Sequence, residues 1–262
     1  MFTQSRLLIY KLIILVVFFA TFSASAEVIN RTFEVDKGGE LYLRTDMGRL
    51  VIETHNSNEV LLEVELKGED ADKFELSHDV NGDRIEIIGK IERKKNWGWN
   101  RDLKIEFRVT VPREFNLDMH TSGGSIHIED LIGNIDAHTS GGSISVGKVT
   151  GDVVLKTSGG SIETESIYGE LNAHTSGGSI RTTISKQPSK DAELTTSGGS
   201  IKAYLIENIQ IDIDASTSGG RVRTDFDVDG KVKKQSIRGE INGGGPKLEL
   251  HTSGGSVSIK KL

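Results

Sequence analysis

Four of the seven histidines occupy one position of a repeated sequence, directly before a threonine. These are His120, His138, His174 and His251. Because polar and apolar residues alternate around them, we expect the imidazoles to point outward, each two residues after a carboxylate or an amide. Clustered imidazoles and carboxylates can bind a transition metal. Other repeats hold lysine, threonine or serine at this position, however, and an open row lacks an enclosing pocket, so we predict no metal site.

Both tryptophans lie in one short basic segment, residues 93–101. Paired aromatic rings beside cations suit sugar rings or anionic glycans. The candidate ligand-binding residues are therefore Trp97, Trp99, Arg93 and Lys94. The alternative is a long hairpin tip whose indole rings fold back onto the N-terminal part of the protein. The sequence leaves both interpretations open.

The serines of the repeat do not predict a nucleophile. Their context, Thr-Ser-Gly-Gly, differs from the Gly-x-Ser-x-Gly elbow of hydrolases. Seven copies favour a chain corner in which hydroxyls bond neighbouring backbone groups. The corners also lack the aspartate of calcium-binding nonapeptide repeats. We therefore predict no catalytic residue and no cofactor.

The elements that position these residues are coils of a solenoid. The repeated threonine recurs at intervals of 18, 18, 18, 21, 21 and 35 residues, and a fixed period of this length is typical of stacked repeats. The seven threonines are Thr121, Thr139, Thr157, Thr175, Thr196, Thr217 and Thr252. The last interval predicts one additional coil with a degraded corner around residues 236–245.

Within each coil, apolar residues two and four positions before the threonine alternate with polar ones, which is typical of a half-buried strand. A second strand follows the Ser-Gly-Gly corner, and an 18-residue coil is too short for two helices and their loops. The sequence therefore predicts an all-β fold, a single-stranded β-helix of about 18-residue coils with an irregular β-rich N-terminal cap. Corner glycines such as Gly159 are expected to adopt positive φ.

We divide the chain into residues 1–26, 27–112 and 113–262. The first part is a predicted signal peptide, because Arg6 and Lys11 precede an apolar run and Ala24-Ser25-Ala26 is a suitable cleavage site. The alternative of an uncleaved membrane anchor is disfavoured, since the run is shorter than the ~20 apolar residues that a spanning helix needs. We therefore expect no stable membrane insertion after cleavage.

Residues 27–112 are predicted to be an irregular β-rich cap that continues the solenoid. Residues 45–50 look like a decayed copy of the repeat, and Asn81-Gly82 indicates a hairpin with a type I′ turn. The alternative is a separate β-sandwich. Residues 113–262 are assigned to the repeat β-helix.

After cleavage the chain keeps 30 basic and 38 acidic residues, a formal charge of −8. This balance disfavours nucleic acid and anionic membrane surfaces as partners. The chain has no cysteine, so disulfides cannot stabilise it. Arg181, Lys202 and Arg223 share an outward position six residues after the threonine, which predicts either a solvated face or a strip facing a polyanion.

The seven coils, Val111-Pro112 before the first of them, and the closing Gly243-Gly244-Gly245-Pro246 resemble the bacterial "putative adhesin" domain family with Thr-Ser-Gly-Gly-Ser-Ile repeats. The chain is also similar to the related head domain of "putative autotransporter adhesins". The resemblance covers about residue 40 to the C-terminus. It implies a β-helix fold, and the word adhesin is a family label that implies no established activity.

Two functional hypotheses follow. The first is an exported, non-enzymatic β-helix protein of the cell envelope, periplasmic or on the cell surface, that binds a glycan or another envelope component or acts as a scaffold. The second is a polysaccharide-binding or polysaccharide-active β-helix enzyme, which would need two acids clustered in a cleft. The carboxylates recur evenly along outward rows, which favours the first.

Overall fold

The computed structural model of the protein describes residues 27–92 and 102–262. The predicted signal peptide and the segment with the two tryptophans lie outside these residues. The part before the repeats contains one 3₁₀ turn, Ala71–Lys73, and the strands β1 (Glu27–Glu34), β2 (Glu40–Thr45), β3 (Arg49–His55), β4 (Glu59–Lys67), β5 (Phe74–Asn81), β6 (Arg84–Ile91) and β7 (Lys104–Pro112).

The repeat region contains only strands among its regular elements. They are β8 (Asn116–Thr121), β9 (Ile126–Ile128), β10 (Leu131–Ile132), β11 (Ile135–Thr139), β12 (Ile144–Val146), β13 (Val149–Thr150), β14 (Val153–Thr157), β15 (Ile162–Thr164), β16 (Leu171–Thr175), β17 (Ile180–Ile184), β18 (Ala192–Thr196), β19 (Ile201–Leu205), β20 (Ile211–Thr217), β21 (Val222–Thr224), β22 (Asp229–Val232), β23 (Ser236–Ile241), β24 (Lys247–Thr252) and β25 (Val257–Lys261).

The strands form two long sheets whose inner faces share one core. Sheet 1 has 12 strands and contains the strands that lead into the corners; sheet 2 has 11 strands and contains those that leave them. Corresponding residues of successive coils pair in parallel register, as Thr139 pairs with both Thr121 and Thr157. Inside, Ile144 lies between Ile126 and Ile162. These observations confirm the all-β solenoid.

The corner threonines join each coil to its neighbour by hydrogen bonds. Thr157 Oγ1 donates to the carbonyl oxygen of Gly142 at 2.8 Å, and Thr175 Oγ1 donates to that of Gly160 at 2.7 Å. The Thr157 hydroxyl also accepts from the amide of Gly160, so it closes its own corner as well. Its side chain is buried, and a buried polar group is costly unless it is bonded in this way.

The two glycines of each corner have different roles, and the prediction for Gly159 is wrong. Gly159 does not have positive φ, and a Cβ there would lie 3.5 Å from its nearest neighbour, an ordinary contact. A Cβ on Gly160 would instead lie 2.0 Å from the carbonyl oxygen of Gly142. Close approach of adjacent coils therefore requires glycine at the second position.

At the C-terminal end the order of the coils in space differs from their order in sequence. Strand β24 lies between β18 and β20 in sheet 1, and β25 lies between β19 and β21 in sheet 2. Thr252 accordingly pairs with both Thr196 and Thr217.

The predicted degraded coil around residues 236–245 is wrong. Strand β23 pairs antiparallel with β20, and β22 pairs antiparallel with β23. Strands β22 and β23 thus cover the edge of sheet 1 before the chain returns to insert its last coil, whereas β21 is the edge strand of sheet 2. An uncovered edge would expose unpaired backbone groups, which explains why an antiparallel cover replaces another coil.

The other end has the same kind of insertion. The coil of β2 and β3 lies between the coil of β6 and β7 and that of β8 and β9. Thr45 pairs with Thr121 and Leu50 pairs with Ile126, which confirms that residues 45–50 are a copy of the repeat. Strands β1, β4 and β5 add antiparallel pairs outside this coil.

The hairpin predicted at Asn81-Gly82 is present between β5 and β6, but its turn differs from the prediction. Asn81 pairs with Arg84, so Gly82 and Asp83 are the central residues. Only Gly82 has positive φ, +59°, which fits a type II′ turn and excludes type I′. Within residues 27–92 and 102–262, no helix is long and apolar enough to cross a membrane.

Candidate functional site

The candidate residues Trp97, Trp99, Arg93 and Lys94 lie outside the described residues. The strands on either side, β6 and β7, belong to sheets 1 and 2 respectively. Gly89 of β6 pairs with Thr45, the corner threonine of the adjacent coil. The last residues of β6 before this segment therefore lie beside the edge of the solenoid that carries the Thr-Ser-Gly-Gly corners.

Six of the seven corners have two serines, and the second of them is used by the fold; the corner of Thr217 has Arg221 at that position. Ser143 Oγ accepts a hydrogen bond of 3.1 Å from the amide of Ser161, whose own hydroxyl accepts from the amide of Ser179. The same bond links Ser179 to Ser200 and Ser200 to Ser256. This confirms the prediction that corner hydroxyls bond neighbouring backbone groups.

The first serine of the corner is exposed and behaves differently. Ser122, Ser140, Ser158 and Ser176 follow the buried threonines and face solvent. In the described part of the chain, their hydroxyls take part in no hydrogen bond. The fold therefore does not require a hydroxyl at this position, although every corner of the seven repeats has one.

Next to these serines runs a row of cationic and imidazole side chains. In spatial order along sheet 1 the row reads Arg44, His120, His138, Lys156, His174, Thr195, His251 and Ser216. Arg44 was not predicted as a member of this row, because the first copy of the repeat is degenerate. Its position directly before Thr45 is the sequence feature that could have identified it. The first five members lie on consecutive coils.

The row and the serines line a shallow depression that we call the corner groove, with a volume of about 450 Å³. Its outward polar residues are Arg44, His120, His138, Lys156, His174, Ser122, Ser140, Ser158 and Ser176. The corner threonines Thr45, Thr121, Thr139 and Thr157 form its floor. The groove runs across neighbouring coils and so lies along the solenoid axis.

Two aspartates border the imidazoles on the side away from the serines. His120 Nε2 lies 2.8 Å from Asp118 Oδ1, and His138 Nε2 lies 2.5 Å from Asp136 Oδ1. The imidazole rings of His120 and His138 lie at a centroid distance of 4.9 Å, with their planes inclined by 41°.

These short ion-pair contacts lack hydrogen-bond geometry. Within the described residues, both carboxylate oxygens and His138 Nε2 are buried without a hydrogen-bond partner. A solvent molecule or a change in imidazole protonation would have to satisfy them. The described residues contain no group of three or more potential ligands arranged to hold a metal ion.

A second set of cations, Arg181, Lys202 and Arg223, lies on sheet 2. These cations form a less continuous row than the sequence predicted. Ser258 lies between Lys202 and Arg223, because β25 is inserted between β19 and β21. Arg181 Nε is 3.6 Å from Glu163 on the preceding coil. The three cations therefore do not form an unbroken strip.

Two further polar clusters, in the connections that lead from sheet 2 back to sheet 1, show pKa shifts. Lys190 Nζ donates to both carboxylate oxygens of Asp152 at 2.8 Å, and this hydrogen bond lowers the pKa of Asp152 and raises that of Lys190. A hydrogen bond with Ser185 lowers the pKa of Tyr168, whose ring lies 5.0 Å from Lys186 Nζ. The Asp152–Lys190 pair links two coils that have one coil between them, whereas the Tyr168 cluster connects neighbouring coils.

Comparison with known families decides the classification. Residues 102–260, more than half of the chain, match the family described as Toastrack DUF4097. The chain belongs to the Toastrack DUF4097 family. A search of curated proteins found no match.

Several solved structures are similar to this chain. A "putative cell adhesion protein" from Clostridium sporogenes is 16% identical with a TM-score of 0.44 and aligns over 91% of this chain and 100% of its own. A "putative adhesin" from Bacteroides fragilis is 14% identical with a TM-score of 0.34, covering 91% and 99%. A "putative lipid binding protein" from Parabacteroides distasonis is 17% identical with a TM-score of 0.33, covering 90% and 96%.

Proposed function

We propose that this Toastrack protein is an exported, non-enzymatic binding module of the bacterial cell envelope. The observation that carries the proposal is the corner groove, in which side chains of the same kinds recur on neighbouring coils. Adjacent coils are spaced ~4.8 Å apart, so every contact in the groove repeats at that distance. Such a surface suits an extended ligand made of repeating units, as envelope polysaccharides are.

The hydrogen bonding of the corners supports a binding role over a catalytic one. The hydroxyls of Thr157 and Ser161 are engaged with backbone groups of neighbouring coils. The remaining exposed serines are equivalent to one another, and no base is fixed beside one of them in particular. A repeated, chemically uniform surface distributes contacts along a ligand and does not single out one bond for reaction.

A polysaccharide-active enzyme is the alternative, and one observation favours it. Asp118 and Asp136 are register neighbours on adjacent strands, at a spacing close to the ~5–5.5 Å between the carboxyl groups of retaining glycosidases. However, one carboxylate oxygen of each is buried against an imidazole. The pair therefore lies flat on one sheet and does not flank a substrate bond.

The test uses residues 27–262 as the predicted mature protein. We expect the immobilised protein to retain polysaccharide from envelope fractions and to bind members of a glycan array, without releasing new reducing ends. The double variant Trp97→Ala/Trp99→Ala tests the ligand-binding residues predicted from the sequence, Trp97, Trp99, Arg93 and Lys94. Release of reducing ends would establish the enzymatic alternative, and failure to retain any envelope component would contradict the proposal.

A further inference from the structure

We propose that the corner groove binds an acidic polysaccharide, with its anionic groups along Arg44, His120, His138, Lys156 and His174, and that binding strengthens as the imidazoles become protonated. This inference rests on the proposed function. It adds the class of ligand, the surface that binds it and the condition that controls affinity.

Both permanent cations of the groove lack an ion-pair partner within the described residues. Arg44 and Lys156 are exposed, and neither makes an ion pair or a hydrogen bond within the described residues. Elsewhere on the surface, Arg108 bonds Glu53 and Lys190 bonds Asp152. A cation without an internal partner keeps its full attraction for a bound anion. The groove therefore offers two free positive charges on a chain that is acidic as a whole.

The exposed serines of the corner groove provide hydroxyls that the fold does not use. Ser140 and Ser158 stand beside the cationic row, exposed and without hydrogen-bond partners in the described part of the chain. Ser143 and Ser161 in the same corners are used by the fold. A row of free hydroxyls next to a row of cations provides for both kinds of group on an acidic sugar, its hydroxyls and its carboxylate.

The length of the row requires an extended ligand. Arg44 and Lys156 are separated by three coil spacings, about 14 Å, and His174 extends the row to about 19 Å. A single small anion cannot reach both permanent cations. A linear polymer lying along the solenoid axis can, because the spacing of the coils is comparable with the length of one sugar ring.

The formal charge of the corner groove depends on whether its imidazoles are protonated. The charged and titratable groups that face the three imidazoles are Tyr42 and Arg44 on β2, Asp118 on β8, Asp136 on β11, Lys156 on β14 and Glu193 on β18. With neutral imidazoles, two cations oppose three carboxylates, which gives a formal charge of −1. Three protonated imidazoles change it to +2. Protonation adds one positive charge to each imidazole, so the groove attracts anions more strongly once these rings are protonated.

The lining of the groove also favours a sugar polymer over a nucleic acid as the ligand. Proteins that bind single-stranded nucleic acid stack the bases on aromatic side chains. The groove is lined by no phenylalanine, tyrosine or tryptophan within the described residues. Apart from its three imidazoles, the groove is lined by cations and hydroxyls and by no large aromatic ring among the described residues, which favours an acidic polysaccharide.

The experiment measures binding of residues 27–262 to polygalacturonate at pH 7.5 and pH 5.5, at low and high salt. We expect affinity to rise by about tenfold at the lower pH, since protonated imidazoles add positive charge to the groove. The variant Arg44→Gln/Lys156→Gln should lose most of the binding at both pH values. The triple variant His120→Gln/His138→Gln/His174→Gln should lose the pH dependence. The matched control, Lys202→Gln/Arg223→Gln, removes two exposed cations from sheet 2 that have no ion-pair partner in the described residues, and it should bind like the wild type.

Each other outcome overturns the inference. Equal losses in the groove variant and its control would show only a general effect of charge. Equal affinity for neutral dextran would show that anions are not recognised, and equal affinity for oligothymidylate would show that the polymer class is wrong. Melting temperatures verify that all variants are folded. Retention of envelope polysaccharide without binding of polygalacturonate would contradict this inference and leave the proposed function standing.

Discussion

The hydroxyl of Thr252 donates a hydrogen bond of 2.7 Å to the carbonyl oxygen of Gly199, 53 residues earlier in the chain. This bond is the same one that Thr157 makes with Gly142 in a neighbouring coil. The last coil of the chain thus fills the next-to-last place of the stack, inside the coil of β20 and β21. Both of its strands are therefore paired on both sides.

Thr252→Val therefore should destabilise the protein by about 1–3 kcal/mol, since the isosteric side chain leaves the Gly199 carbonyl and the Gly255 amide without this partner. Chemical denaturation measures the change in the free energy of unfolding. Thr150→Val is the matched control, because Thr150 is exposed and should change the value by less than about 0.5 kcal/mol. Equal effects would show that the Thr252 hydroxyl is not a structural link.

Gly160→Ala should destabilise the protein far more than Gly159→Ala. The added methyl group at position 160 would meet the carbonyl oxygen of Gly142 at 2.0 Å, whereas at position 159 it has an ordinary contact of 3.5 Å. We expect a loss of at least about 1–3 kcal/mol for the first variant, as for other overpacked sites. Denaturant midpoints of the two variants provide the comparison. If Gly159→Ala were the more damaging, the close approach of coils would be misassigned.

The Asp152–Lys190 pair should make stability depend on pH. The pKa of Asp152 is lowered below its ordinary 3.8, so the stabilisation is present above that value and is lost as the pH falls through the folded-state pKa. The pKa of Lys190 is raised above 10.5, so the stabilisation persists up to that pH and is lost above it. Wild type and Lys190→Gln should differ slightly in denaturation midpoint from pH 5 to 9 and converge near pH 2.

The control for this comparison is Lys202→Gln, which removes an exposed lysine that has no carboxylate partner in the described residues. Its difference from the wild type should not follow the titration of Asp152. A difference for Lys190→Gln that persists unchanged at pH 2 would contradict the role of this ion pair.

Tryptophan fluorescence will distinguish the two interpretations of residues 93–101. If Trp97 and Trp99 fold back onto the N-terminal coils, emission should be blue-shifted and protected from quenchers. Trp97→Ala/Trp99→Ala should then lower stability by several kcal/mol, since each buried indole contributes roughly 3–5 kcal/mol. Phe226→Ala, at a buried position of the other end, is a control for loss of a ring there. A red-shifted, readily quenched emission would instead favour Trp97, Trp99, Arg93 and Lys94 as a binding surface.

Much of the local structure was predictable from residue patterns. Alternation placed Ile126 and Ile144 inside and His120 and His138 outside, because side chains of a strand point to opposite faces in turn. The repeated threonine set the register, since each copy pairs with the same residue of the next coil. The repeat period thus determined which side chains share a row.

The sequence could not determine which coil stacks on which. All corners present the same threonine hydroxyl and glycine carbonyl, so the corner of Thr252 can bond Gly199 as well as it could bond Gly220. Only the tertiary structure decided between these equivalent partners, by covering sheet 1 with β22 and β23 and inserting the last coil. The same long-range pairing brought Arg44 beside His120 and so completed the corner groove.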